Sequence, residues 1–304
     1  MAVSNERPAL RFNRAPDETV KVSVPGGNVV VYSFGRGEEV LLCLHGGPGC
    51  TCDYVRDCHS AMADRGYRVI VYDQLGSGES DKPKDKSLWR IDRFVDEVEA
   101  VRTALGLGRV HLLGQSWGTW LGIEYCLKHL ANVKSFTIAN GSASISQTID
   151  EMNRLRAALG SETMGMMLRH EAEGTVDHPA YVGAVTILYH RHLCRCEPWP
   201  DAVTRSIEGI NTDVYGTMWG PNEFCCAGNL RDWDRLTELR RIDVPSLIVT
   251  GQHDELTPLL ARSMHERLPD SRIRVFENSS HMPFWEQPEA YFDLLTRFLD
   301  VNRG

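Results

Sequence analysis

The stretch His111-Leu112-Leu113-Gly114-Gln115-Ser116-Trp117-Gly118 constrains this chain more than any other, because an apolar strand pattern runs into G-x-S-x-G and straight on into a helical one. A serine on so tight a strand-to-helix turn needs neighbours without bulk, and Gly114 and Gly118 supply them. Such a turn lifts the Ser116 hydroxyl above the end of a sheet. It also leaves the next backbone N–H, that of Trp117, free to donate to an oxyanion. The pattern predicts a nucleophile elbow; the competing reading is a chance match to a short motif.

The rest of the chain supplies the sheet that an elbow requires. β-rich, mostly apolar runs recur at 29–34, 40–44, 68–72, 109–113, 133–139, 246–250 and 272–276. Helical patterns lie between them at 91–105, 117–129, 258–268 and 288–302, which predicts an α/β fold with a mostly parallel sheet covered on both faces. The alternation breaks once. From 146 to 232 no strand pattern is convincing, while helix-like stretches at 149–159 and 162–170 alternate with loops rich in Gly, Pro and aromatics. The expected organisation is a core of 1–145 and 233–304 interrupted by a helical cap at 146–232.

Chemistry in an open α/β sheet gathers at the carboxyl ends of strands. After the run ending at Thr250 comes Gly251-Gln252-His253-Asp254-Glu255, and after the run ending at Phe276 comes Glu277-Asn278-Ser279-Ser280-His281. The chain order Ser116, Asp254, His281 is the nucleophile–acid–histidine order of an α/β-hydrolase. In that arrangement His281 takes the proton of Ser116, and Asp254 fixes the imidazole tautomer. The histidine is expected to titrate in the ordinary range, about 6 to 7. A second oxyanion donor is expected from His45-Gly46-Gly47-Pro48-Gly49, where glycines let backbone N–H groups approach a ligand closely, and Gly47 is the chosen donor. The turn Asp73-Gln74-Leu75-Gly76-Ser77-Gly78 is read as a buttress for that loop.

Composition removes other classes. The chain has 304 residues, 42% of them hydrophobic, and a formal charge of −8. With no Lys/Arg-rich run, this argues against nucleic-acid and anionic-membrane partners. No leader-like apolar stretch opens the sequence and no eighteen apolar residues run together, so the expected location is cytoplasmic. Nine cysteines fit reduced thiols. Cys50, Cys52, Cys58 and His59 come nearest to a metal cluster, but their spacing fits no zinc pattern, and no metal or other cofactor is expected.

Together HGGPG at 45–49, YDQLGSGES at 72–80, GQSWG at 114–118, WGPNEF at 219–224, GQHDE at 251–255 and the late His281 resemble the proline iminopeptidase family of α/β-hydrolases over nearly the whole chain. The resemblance implies that Glu223 and Glu255 hold the free α-ammonium of a substrate. A cationic amine does need carboxylates near the scissile carbonyl. The elbow departs from many relatives at Thr119, where another small residue is usual. Tyr215, Trp219, Phe224 and Trp285 are candidates for an apolar first-residue pocket.

The expected function is a serine hydrolase that releases an N-terminal residue, proline or another apolar one, from a short peptide or amino-acid amide through an acyl-enzyme. An L-amino-acid amidase or carboxylic esterase, and a non-catalytic small-molecule receptor on the same scaffold, remain as alternatives. The oligomeric state is not legible in the sequence.

Overall fold

The computed structural model describes residues 9–303. Residues 1–8, on which the reading of the N-terminus partly rests, lie outside them. Eight strands form one sheet: β1 (Glu18–Val24), β2 (Gly27–Phe34), β3 (Val40–Leu44), β4 (Arg68–Asp73), β5 (Val110–Gln115), β6 (Val133–Ala139), β7 (Ser246–Gly251) and β8 (Ser271–Phe276). Their spatial order is β1-β2-β4-β3-β5-β6-β7-β8. The pairs β1/β2 and β2/β4 are antiparallel, and every later pair is parallel.

The central strands are mostly apolar because both faces of the sheet are covered. In β3, Leu42 and Leu44 enter one core while Leu41 and Cys43 enter the other. Likewise Ile70 and Tyr72 of β4 face one side and Val69 and Val71 the other. Register locks these rows together, with Leu42 beside both Ile70 and Leu112, and Gly114 beside Ile138. Full burial of one such Leu or Ile contributes about 1.5–3 kcal/mol.

Helices α1 (Asp53–His59), α2 (Ile91–Ala104) and α3 (Trp117–His129) follow β3, β4 and β5. Helix α3 is apolar nearly all round, from Trp117 and Trp120 to Ile123 and Cys126, because it is buried against β5 and β6 on one side and the helical segment on the other. Between β6 and β7 the described residues hold no strand. They carry α4 (Ile145–Ala157), α5 (Ser161–Glu173), α6 (Pro179–Leu188), α7 (Asp201–Glu208) and α8 (Thr212–Met218). After β7 come α9 (Pro258–His265), α10 (Pro283–Glu286) and α11 (Pro288–Asp300).

Two differences from the sequence expectation matter here. The run 109–113 extends to Gln115, so the strand runs up to Ser116. Strand β1 was not anticipated. In ETVKVSV only the alternate valines turn inward, with Lys21 and Ser23 exposed, as suits an edge strand with one wet face. Its hairpin to β2 turns at Gly26, whose φ of 98° demands glycine.

Candidate active site

The loops at the carboxyl ends of β5, β7 and β8 bring Ser116, Asp254 and His281 together. Ser116 follows β5 and opens α3 with φ 54° and ψ −125°, a conformation that non-glycine residues rarely adopt. Its surroundings over-determine it. Ser116 N–H donates to Ala139 O on β6 at 3.0 Å. A Cβ on Gly114 would stand 2.2 Å from Gly118 O, and one on Gly118 would stand 2.2 Å from Leu44 O. Both flanking glycines are therefore required by close backbone approach as well as by the turn.

His281 and Asp254 meet at 2.7 Å through Nδ1 and Oδ1. All three side chains are buried, and Ser116 and His281 line one narrow cavity. Among the described residues the Ser116 hydroxyl is not hydrogen-bonded to His281; such contacts commonly tighten only with substrate in place. Burial by itself would lower the His281 pKa, but the adjacent Asp254 carboxylate outweighs it and raises the value above the ordinary histidine range.

Asp254 is held by more than its histidine. Leu256 N–H donates to Oδ1 at 2.9 Å, while the Thr250 hydroxyl and the Asn140 side-chain amide donate to Oδ2 at 3.0 and 2.6 Å. Neither Asn140 nor Thr250 was singled out in the sequence. A signal existed at Asn140, since Asn-Gly directly after an apolar strand is a turn that tolerates left-handed backbone, and Asn140 has φ 55°.

The glycine loop lies against the elbow, as its composition suggested. A Cβ on Gly46 would stand 2.7 Å from Ser116 Cβ, and Gly47 has φ 45°. Among the described residues neither the Gly47 nor the Trp117 N–H is engaged in a loop or turn hydrogen bond. A polar network carries the loop. Tyr54 accepts from Gly46 N–H at 2.7 Å and donates to the Gln115 side chain, and Gln115 reaches His281 O at 3.3 Å. On the other side Gln74 donates its N–H to His45 Nε2 at 3.1 Å and accepts from the Trp117 indole at 2.8 Å. Burial pushes the His45 pKa down, which suits a neutral ring accepting at Nε2.

Glu223 and Glu255 come from elements far apart in the chain. Glu223, in the loop after α8, lines the cavity and accepts from the Tyr215 hydroxyl. Glu255 is fully buried beside His281, with Oε1 3.6 Å from Nε2.

The pocket aromatics are placed differently from expectation. The cavity wall is formed by Tyr54, Tyr189, Leu193, Val203, Ile207, Ile210 and Met282. Tyr215 and Trp219 instead support Glu223, through the Tyr215 hydroxyl and through the Trp219 indole, which donates to Glu223 O at 3.0 Å. Trp219 also stacks on Trp120 at 5.2 Å, and Phe224 lies 6.2 Å from Tyr189. Trp285 faces away, donating to Tyr54 O at 2.9 Å with its ring 5.6 Å from Phe12. In both tryptophans the indole N–H donates to a backbone carbonyl, Glu223 O or Tyr54 O, which fixes the orientation of the ring. Of the cysteine cluster, Cys58 donates to Tyr54 O, and His59 places its nitrogens on Val55 O and Tyr291.

A proline iminopeptidase from Heyndrickxia coagulans is 38% identical over 283 residues, a match that covers 92% of this chain and 97% of the relative. The chain belongs to the proline iminopeptidase family of α/β-hydrolases. The α/β hydrolase fold family also matches residues 39–173. Among solved structures, the iminopeptidase of Mycobacterium smegmatis is 36% identical, with a TM-score of 0.86 over 94% of this chain and 98% of that one. VinJ is 35% identical, with a TM-score of 0.91 over 95% of this chain and 100% of that one. The eight-stranded sheet of this family member is thus an α/β-hydrolase sheet. No helix among its described residues is long and apolar enough to cross a membrane.

Proposed function

We propose that this chain is a serine aminopeptidase that releases an N-terminal residue, proline or another apolar one, from short peptides or amino-acid amides. The observation that carries this reading is the pair of carboxyls at the triad: Glu223 lines the cavity of Ser116, and Glu255 is buried against His281. A hydrolase of neutral esters has no use for two acids there, whereas a substrate with a free ammonium is held by them. The names of the relatives point the same way.

In this reading the Ser116 hydroxyl attacks the carbonyl of the first residue while His281 Nε2 takes its proton. Asp254 keeps Nδ1 protonated and stabilises the imidazolium. The Gly47 and Trp117 N–H groups receive the developing oxyanion. His281 then returns the proton to the leaving amine, and water repeats the sequence on the acyl-enzyme. The helical segment 146–232 acts as a cap that supplies Glu223, and 1–145 with 233–304 forms the catalytic core. A cytoplasmic location belongs to the same proposal and rests on nine free thiols.

Comparing L-proline p-nitroanilide with its N-acetyl counterpart tests the reading. Free-amine substrate should be strongly preferred, and Glu223→Gln should shrink that preference by about 2–5 kcal/mol of binding. Equal cleavage of both by the wild type would replace the aminopeptidase with a general amidase or esterase.

A further inference from the structure

Glu255 departs from the rule that buried polar groups find partners. Its side chain has no solvent exposure, and among the described residues no N–H or O–H donates to either carboxyl oxygen, so that the polar side chain it meets is another acid, Glu223. The nearest ion-pair contact, His281 Nε2 at 3.6 Å, is too long for a hydrogen bond. Asp254 adjoins it on its own loop, and Glu223 and Tyr189 face it from the helical segment. Among the described residues no Lys or Arg pairs with Glu255. The loop is nonetheless fixed, because Glu255 N–H donates to His192 O at 3.3 Å and His281 N–H to the same oxygen at 3.2 Å. An ionised carboxylate there would bear its desolvation cost beside two other acids.

We propose that Glu255 carries a proton in the free enzyme, directed at Glu223, and that the ammonium of the substrate displaces it to solvent on binding. This rests on the reading of Glu223 and Glu255 as an amine clamp. Burial first, then Glu223 and Asp254, pushes the Glu255 carboxyl well above the usual carboxylate range. When the ammonium arrives, the Glu255 O–H bond breaks, the proton passes to buffer, and N–H···O bonds from the cation take its place. Opposite charge then stabilises the carboxylate that burial had disfavoured. The exchange also protects the catalytic base. Glu255 is neutral before binding and compensated after it, so no bare carboxylate draws His281 Nε2 away from Ser116.

Calorimetric titration of Ser116→Ala protein with L-prolinamide at pH 7, in buffers of different ionisation enthalpy, reads the protons released per amine bound. About one is expected, together with loss of a protonated-carboxyl carbonyl band in the infrared difference spectrum. Adding Glu255→Gln should abolish both signals, and adding His281→Asn should leave both in place. Binding without release, or release that disappears with His281, overturns the proposal while the clamp stands. If L-prolinamide binds no better than N-acetyl-L-prolinamide, the clamp fails and the proposal with it. The infrared band needs no substitution at 255, so the outcome does not depend on that variant folding.

Discussion

Asn140 donates its side-chain amide to Asp254 Oδ2 at 2.6 Å, taking the carboxylate oxygen that His281 does not use. It does so from a left-handed backbone conformation that only its short polar side chain makes tolerable. Asn140→Gly keeps the backbone and removes the donor. Because a hydrogen bond to a charged group is worth about 1.5–3 kcal/mol, kcat/KM should fall by about 10- to 100-fold. The charge released on Asp254 should also move the acid limb of Ser116 labelling upward. A fall in activity with an unmoved limb would reduce Asn140 to a structural turn residue.

Ser116→Ala should lower kcat by about 10⁴-fold or more while the protein stays folded. A fluorophosphonate should label the wild type at Ser116, as read by peptide mass mapping. Label on Ser77 or Ser80 would move the active site elsewhere.

The pH profile follows from His281. Its pKa is raised, so the neutral base is lost as pH falls through a value above the usual histidine figure of about 6.5. Ser116 labelling by a small fluorophosphonate, which carries no amine and bypasses the clamp, should therefore decline at higher pH than an ordinary histidine would dictate. Asp254→Asn should shift that limb downward, because the main group raising the pKa is gone. A limb at or below the ordinary value in the wild type contradicts the geometry.

Gly118→Ala tests the elbow by stability. Its Cβ would stand 2.2 Å from Leu44 O, a backbone atom that cannot swing aside. Urea unfolding should show a loss of about 1–3 kcal/mol, as for other overpacked sites. An unchanged midpoint would contradict the close approach of α3 to Leu44 O.

Much of this was local enough to be read directly. The elbow announces itself because Gly114, Ser116 and Gly118 must sit two residues apart for one backbone turn. The central strands announce themselves because burial on both faces leaves no polar position in runs such as Leu41–Leu44. The ends of those runs then point to His281 and Asp254, since a parallel sheet brings carboxyl termini to one edge. Strand β1 escaped because an edge strand with one wet face alternates Val with Lys and Ser and resembles a loop.

The sequence by itself determined the elbow and the strands buried on both faces, for each is written in a short local spacing. Only the tertiary structure decided which polar groups meet. Asn140 and Asp254 are 114 positions apart, and no periodicity links them; their contact exists because β6 and β7 are neighbours in the sheet. The same holds for the aromatics after α8, where composition suggests a pocket but the need of a buried indole N–H for an acceptor turns Trp219 toward Glu223 O. The state of Glu255 is the furthest from the sequence. Its neighbour Asp254 has almost the same side chain, and only the fold surrounds one carboxyl with four donors and leaves the other with none.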